Sequence, residues 1–273
     1  HSFPTRRSSD LRLDGTSATR ISTQALDWGV GMVNGATAVG NSYQPHALRE
    51  CNATQDLARI LVPGSRRLDG AIPSGSFLTS SGSFIDVLTW TGSSYSVQKT
   101  ESVYPAPPFH DFVARWNASP CISPDGTWFT MVGKDGKGFT LNRFDIDASG
   151  SVTLRDSLRV AETASPVSLS IKASVDLSLV WVAAVFDMAG AMPRTMLHKF
   201  TLTPSGYQEV LAQRVSFTDR YVNLSAVSPD GRFLVLDRGD WPVNNSWFEC
   251  YDGSGQTLSE ATGYLPATKQ TAI

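Results

Sequence analysis

Among the polar residues, two aromatic-x-Asp segments have the spacing most suggestive of chemistry. Phe109-His110-Asp111 and Phe217-Thr218-Asp219 stand 108 positions apart (111 to 219). Carboxylates recurring at one position of a repeated unit converge when the units surround an axis, and hard oxygen ligands brought together in that way suit a small ligand or a divalent cation. The same residues also suit a plainer task, capping a connection by accepting its backbone N–H groups as Asx turns do. Asp111 and Asp219 are therefore the candidate ligand-binding residues, with turn capping as the expected role.

A second candidate is Asp145-Ile146-Asp147-Ala148-Ser149-Gly150, which matches the opening of a calcium loop and places Asp156 at its twelfth position. Helices flanking such a loop are not predicted, so a plain hairpin is expected at this position. Nucleophilic catalysis lacks its parts: no Gly-x-Ser-x-Gly elbow is present. His46, His110 and His198 each stand apart from any His-x-x-x-His pair and are expected at the surface or in turns. No glycine-rich phosphate loop occurs. The expectation is no catalytic residue, no metal site and no cofactor. Cys51, Cys121 and Cys250 are widely spaced without a C-x-x-C and read as buried free thiols.

The composition limits the partners. A formal net charge of −2, with no long Lys/Arg run, gives nucleic acid or an anionic membrane surface no electrostatic footprint. With 41% hydrophobic and 18% charged residues the chain can build a substantial core. Its longest strongly apolar run, Leu179–Phe186, has the length of a buried strand and falls far short of a membrane span.

The elements that would position these residues repeat. Ser123-Pro124-Asp125-Gly126 and Ser228-Pro229-Asp230-Gly231 each precede an apolar run, and Ser174-Val175-Asp176-Leu177 lies between them. Ile72-Pro73-Ser74-Gly75 reads as an earlier copy, giving the series 73, 124, 175 and 229. A parallel series of glycine hairpins follows an aromatic or apolar strand end at Gly40, Gly92, Gly150, Gly206 and Gly253. Each unit thus reads as strand, turn, strand, hairpin and strand, with room for a fourth. Four-stranded units of this length are what propeller blades require. The fold class is all-β, a β-propeller of about five visible blades of four antiparallel strands. A pair of β-sandwiches would also show short strands but need not repeat its turn chemistry every fifty-odd residues, and a β-solenoid would need a shorter period. Pro45–Arg59 is the one stretch that could form a short helix or a long loop.

The Ser-Pro-Asp-Gly turn before a Phe/Leu/Val strand resembles the repeat of WD-repeat-like, YVTN-type and related bacterial and viral propellers. The resemblance spans residues 20–260, without the Gly-His and Trp-Asp signature of true WD repeats. The aromatic-then-Gly-Ser hairpins are also similar to degenerate propeller repeats of tailed bacteriophages. The opening His1–Leu11 (HSFPTRRSSDL) resembles, residue for residue, the conceptual translation of a short-read sequencing adapter. The expected division is a non-native segment, 1–11, and a propeller fragment, 12–273, whose authentic N-terminus and one or more blades are missing.

The expected function is a non-catalytic binding or structural module presenting loops to a protein or glycan partner, in a virion or an exported or periplasmic setting. The alternative is a hydrolase of the propeller lactonase type with a divalent cation in the channel.

Overall fold

The structure is a computed structural model. It describes residues 7–14, 17–25, 32–33, 36–42, 52–69, 81–100, 120–134, 137–186, 193–218, 220–240, 245–252 and 257–265. A hairpin comes first, β1 (Arg7–Asp14) with β2 (Ser17–Ala25), paired antiparallel. The adapter-like segment therefore contributes backbone from Arg7 onward to this hairpin. Its side chains lie outside the described residues.

Four antiparallel sheets follow in chain order. Blade I holds β3 (Met32–Val33), β4 (Ala36–Ser42), β5 (Asn52–Ala53), β6 (Arg59–Asp69), β7 (Ser81–Trp90) and β8 (Tyr95–Thr100), with β4 and β5 both pairing with β6. Blade II is a four-stranded meander of β9 (Cys121–Ile122), β10 (Trp128–Lys134), β11 (Gly138–Ile146) and β12 (Val152–Ala161). Blade III comprises β13 (Ser168–Ala173), β14 (Leu179–Phe186), β15 (Arg194–Thr203) and a split outer strand, β16 (Gly206–Glu209) and β17 (Val215–Thr218), both paired with β15. Blade IV comprises β18 (Arg220–Val227), β19 (Phe233–Asp240), β20 (Asn245–Asp252) and β21 (Thr257–Leu265).

The sheets stack face to face, and each seam carries its own core. Leu61, Ile85 and Val87 of blade I meet Phe129, Met131 and Phe144 of blade II. Phe139 and Leu141 of blade II meet Val180, Val182 and Phe186 of blade III. Trp181 and Leu197 of blade III meet Val222, Leu234 and Leu236 of blade IV. First strands lie beside first strands: Leu224 N–H in β18 donates to Ser170 Oγ in β13 at 3.1 Å. Successive four-stranded meanders stacked through both faces, with their first strands innermost, form the blades of a β-propeller.

This packing explains the run Leu179–Phe186. Its even-numbered residues face blade II and Trp181 and Ala183 face blade IV. A strand covered on both faces reads as continuous apolar sequence, whereas the rim strand β12 alternates half-buried with exposed positions.

Several expectations are corrected. The blade I copy of the Ser-Pro-Asp-Gly turn is Thr54-Gln55-Asp56-Leu57, between β5 and β6, and residues 72–75 follow β6. The structure forms strand, turn and strand over 52–60, so the helix considered for Pro45–Arg59 is absent from its described part. Gly40 lies inside β4 and makes no hairpin. Gly92, Gly150 and Gly206 do turn between third and fourth strands, all at positive φ. The described residues thus form four sheets and one separate hairpin. Phe233, which opens the apolar run after the Ser228-Pro229-Asp230-Gly231 turn and reads from sequence as a core ring, is 44% exposed, and the inward position belongs to Leu234 at 1%. The slip is one residue: Phe233 aligns with Trp128, and Leu234 with Phe129.

Leu234→Ala is accordingly expected to cost about 2–5 kcal/mol in urea denaturation, as buried leucines do. Phe233→Ala should cost under roughly 1 kcal/mol. Equal losses would contradict this register.

Candidate functional site

In each meander the turns from first to second and from third to fourth strand fall at one end. The connections from second to third strand, and from blade to blade, fall at the other. None of the loops at the first end exceeds five residues, among them 54–58, 91–94, 123–127, 147–151, 174–178, 204–205 and 228–232. At the other end the connections run from the single Asp219 to the twenty residues 101–120. Asp111 belongs to the connection from blade I to blade II, and Asp219 to that from blade III to blade IV. Both lie outside the described residues.

The short-turn end is built from one hydrogen-bonded motif used four times. Ser123 Oγ–H donates to Asp125 Oδ1 at 2.6 Å, and Thr127 N–H donates to the same oxygen at 3.0 Å. Trp128 N–H donates to Ser123 Oγ at 3.2 Å, while Gly126 N–H closes the turn on Ser123 O at 2.9 Å. The same bonds recur around Thr54 and Asp56, Ser174 and Asp176, and Ser228 and Asp230. The Ser/Thr hydroxyl, and then the backbone N–H two residues beyond the Asp, hold each of the four carboxyls below the usual carboxylate range. These aspartates are exposed, but one oxygen of each is committed to its own turn.

The fourth residue of every turn has positive φ: Leu57 at 59°, Gly126 at 68°, Leu177 at 58° and Gly231 at 74°. Its carbonyl takes no part in the sheet ladders, and a side chain meets it in every case. Tyr95 and Tyr207 hydroxyls, from the same blade's outer strand, each donate at 2.8 Å to Leu57 O and Leu177 O. Where the residue is Gly, the donor comes from the preceding blade. Arg59 Nη1 reaches Gly126 O at 2.8 Å, and Trp181 Nε1 reaches Gly231 O at 3.0 Å. Glycine is what permits that approach. A Cβ on Gly231 would stand 2.9 Å from Leu179 Cβ, and one on Gly126 would stand 3.1 Å from Arg59 Cδ. Leu177 instead drives its side chain into the core between blades II and III, whereas Leu57 is 43% exposed.

The calcium-loop reading of residues 145–156 gives way to a hairpin. Asp147 Oδ1 accepts from Ser149 Oγ–H and Ser151 N–H. Asp145 pairs with Arg155, and Asp156 pairs with Arg143. Cys121 is a buried free thiol as expected, Cys250 is half-buried, and Cys51 lies outside the described residues. Among the described residues no group of three or more His, Cys, Asp or Glu is placed to hold a metal ion, and no helix is long and apolar enough to cross a membrane.

His198, expected at the surface, is wholly buried in β15. Its ring lies edge-on to Phe139 of blade II, with centroids 5.0 Å apart. Nδ1 is 2.7 Å from Glu209 Oε1, and Nε2 is 3.8 Å from Glu162 Oε1. Arg214 joins the two acids, bonding Glu209 through Nε and Nη2 at 2.9 and 2.8 Å and reaching Glu162 through Nη1 at 3.3 Å. Burial opposes ionisation of Glu209, but the hydrogen bonds and charges of His198 and Arg214 prevail and hold its carboxyl at about 2. The ring has no exposed surface, and its polar partners are side chains of the same seam. A sequence signal was available. Asp86 and Asn142, both buried, occupy the same third-strand position, opposite Val62 and Met131 as His198 is opposite Val182.

No family model matches the chain, and no curated protein matches it. Among solved structures, TolB from Acinetobacter baumannii superposes with a TM-score of 0.45 and 12% identity, over 89% of this chain and 46% of TolB. A hypothetical selenium-binding protein from Sulfolobus tokodaii gives 0.45 and 14%, over 73% and 44%. The periplasmic gluconolactonase of Pseudomonas aeruginosa gives 0.40 and 14%, over 97% and 78%. The chain spans less than half the length of the first two.

The two leucines at positive φ separate strain from packing. Such a backbone costs a non-glycine residue roughly 1 kcal/mol. Leu57→Gly is expected to be neutral or stabilising by up to about 1 kcal/mol, since little burial is lost. Leu177→Gly should destabilise by roughly 1–4 kcal/mol, the cost of a lost buried leucine less the relieved strain. Urea midpoints of the two variants would check this, and a shift of the same sign and size in both would refute it.

Proposed function

We propose that the chain is a non-catalytic binding module: a propeller that presents the connections at its variable end, with Asp111 and Asp219 among them, to a protein or glycan partner. The observation that carries the reading is the contrast between the two ends. The polar groups of the short-turn end are spent on repeated hydrogen bonds within each turn, and two of the turns are bonded to the preceding blade. The other end carries connections of very different length on the same rigid frame, the arrangement by which loops acquire separate specificities. The partner is taken to be protein or glycan because the chain has a net charge of −2 and no basic run for nucleic acid. A virion or exported setting belongs to the same proposal and rests on the likeness of the hairpins to those of phage propellers.

The test is a screen of the purified chain against a glycan array and a displayed protein library, followed by two variants. Replacing residues 105–118 with a Gly/Ser linker of equal length is expected to weaken binding of the ligand found by at least tenfold. Val175→Ser with Phe233→Ser, at the short-turn end, should leave affinity within twofold. The opposite pattern would place the site on the wrong end. Hydrolysis of a lactone stimulated by Ca²⁺ or Zn²⁺, and lost on Asp111→Ala with Asp219→Ala, would replace this reading with the lactonase-type alternative.

A further inference from the structure

The two glycine turns that join blades carry a chemical liability. In each, glycine follows aspartate, and Asp-Gly is the dipeptide at which a chain most readily attacks itself, because no Cβ shields the glycine nitrogen. The main-chain N of glycine adds to the aspartate Cγ, a C–N bond forms, and the glycine proton leaves with the carboxyl OH as water. Solvent water then opens the resulting succinimide at either carbonyl. Opening on the main-chain side leaves an isoaspartate, with one extra atom in the backbone. No oxidant or reductant takes part. The sequence holds six such dipeptides: Asp14-Gly15, Asp69-Gly70, Asp125-Gly126, Asp135-Gly136, Asp230-Gly231 and Asp252-Gly253. Of these, Asp125-Gly126 and Asp230-Gly231 lie wholly within the described residues.

Blades I and III place leucine here, Leu57 and Leu177, whose side chains hinder the attack. Blades II and IV have no room for one. A Cβ on Gly231 would stand 2.9 Å from Leu179 Cβ, and one on Gly126 would stand 3.1 Å from Arg59 Cδ. The turn motif opposes each requirement of the reaction. Attack needs a free glycine nitrogen, but Gly126 N–H donates to Ser123 O at 2.9 Å and Gly231 N–H to Ser228 O at 2.8 Å. The carboxyl must swing onto that nitrogen, but Asp125 Oδ1 accepts from Ser123 Oγ–H at 2.6 Å and Thr127 N–H at 3.0 Å. Asp230 Oδ1 likewise accepts from Ser228 Oγ–H at 2.6 Å and Arg232 N–H at 3.1 Å. The carboxyl must also be protonated for its OH to leave, but the serine hydroxyl and then the backbone N–H favour the ionised form of both acids.

We propose that the Ser123 and Ser228 hydroxyls are locks against self-modification, holding Asp125-Gly126 and Asp230-Gly231 in a geometry from which no succinimide forms while the turn is closed. An isoaspartate at either place would lengthen the turn by one atom and move the glycine carbonyl off Arg59 or Trp181, so the locks preserve the joints between blades. The two differ in strength. Thr127 Oγ–H adds a third bond to Asp125 Oδ1 at 2.9 Å, and Ser123 is buried. Ser228 is only half-buried. The blade IV turn is therefore the weaker lock and the first to yield through local opening. The device is independent of the partner proposed above.

The test is uptake of oxygen-18 from labelled water, which marks each passage through the succinimide. It would be mapped by mass spectrometry of peptides from the whole chain, incubated at neutral pH both folded and in urea. Uptake at Asp125 and Asp230 is expected to be at least tenfold slower in the folded chain than in urea, with Asp230 the faster of the two. Ser228→Ala should raise the folded rate at Asp230 at least fivefold and leave Asp125 within about twofold. Ser228→Thr, with the hydroxyl that Thr54 supplies in blade I, should keep the slow rate. Folded rates within about twofold of the urea rates, an unchanged rate at Asp230 in Ser228→Ala, or an equal rise at both sites would overturn the proposal. Should Ser228→Ala not fold, Ser228→Cys, a weaker donor of similar size, is read in its place.

Discussion

The rest of the structure depends on a carbonyl that the sheets do not use. Each Ser/Thr-x-Asp turn forces its fourth residue to positive φ and takes that residue's C=O out of the ladder. A main-chain acceptor held among packed sheets must find a donor or lose roughly 1–3 kcal/mol. All four turns meet this need with a side chain, and the choice of donor sets how the blades join. A tyrosine from the same blade serves where the fourth residue is leucine, and an arginine or tryptophan from the preceding blade serves where it is glycine. The glycine turns are therefore joints between blades as well as bends within them. Val175 N–H adds a main-chain bond across the second such joint, to Pro229 O at 2.9 Å.

These joints and the apolar seams work at different radii. Inside, Phe, Leu, Val and Trp side chains fill each interface, every fully buried one stabilising by roughly 1.5–3 kcal/mol. At the periphery of the seam between blades II and III, the apolar packing ends in the ionic cluster of Glu162, His198, Glu209 and Arg214. Buried charges stabilise little against an apolar equivalent, but removing one partner from such a set is costly, so the cluster fixes the seam's geometry more than its strength. The frame that results has short, internally hydrogen-bonded turns at one end.

How much of this was legible in the sequence follows from where the signals sit. The all-β class, the apolar run of β14 and the hairpins at Gly92, Gly150 and Gly206 depend on local chain chemistry and could be read directly. The blade I turn is hard to find by pattern because Thr54-Gln55-Asp56-Leu57 has neither the Pro nor the Gly of the turns at Ser123 and Ser228. Its Ser/Thr-x-Asp-Leu pattern is nevertheless the one seen at Ser174, and the hydroxyl and the carboxylate are what make the turn. Phe233 reads as a core residue because an aromatic ring weighs heavily in any reading of a strand. The structure needs the apolar residue one place later, where the side chain turns inward. His198 reads as a surface residue because its partners, Glu162 and Arg214, are neighbours through packing and not through spacing. Asp111 and Asp219 lie outside the described residues, and their pairing rests on sequence spacing alone.

The most direct test of blade coupling through the turns is native-state hydrogen exchange on Trp181→Phe, which keeps the buried ring and removes the donor to Gly231 O. Exchange at Gly231 N–H and Val175 N–H is expected to rise at least tenfold, while Gly126 and Leu177, held by other donors, keep their protection. A uniform rise across all four turns would reduce Trp181 to a packing residue. No change at Gly231 would show that the carbonyl does not depend on its neighbour, and the coupling of blades through their turns would be wrong.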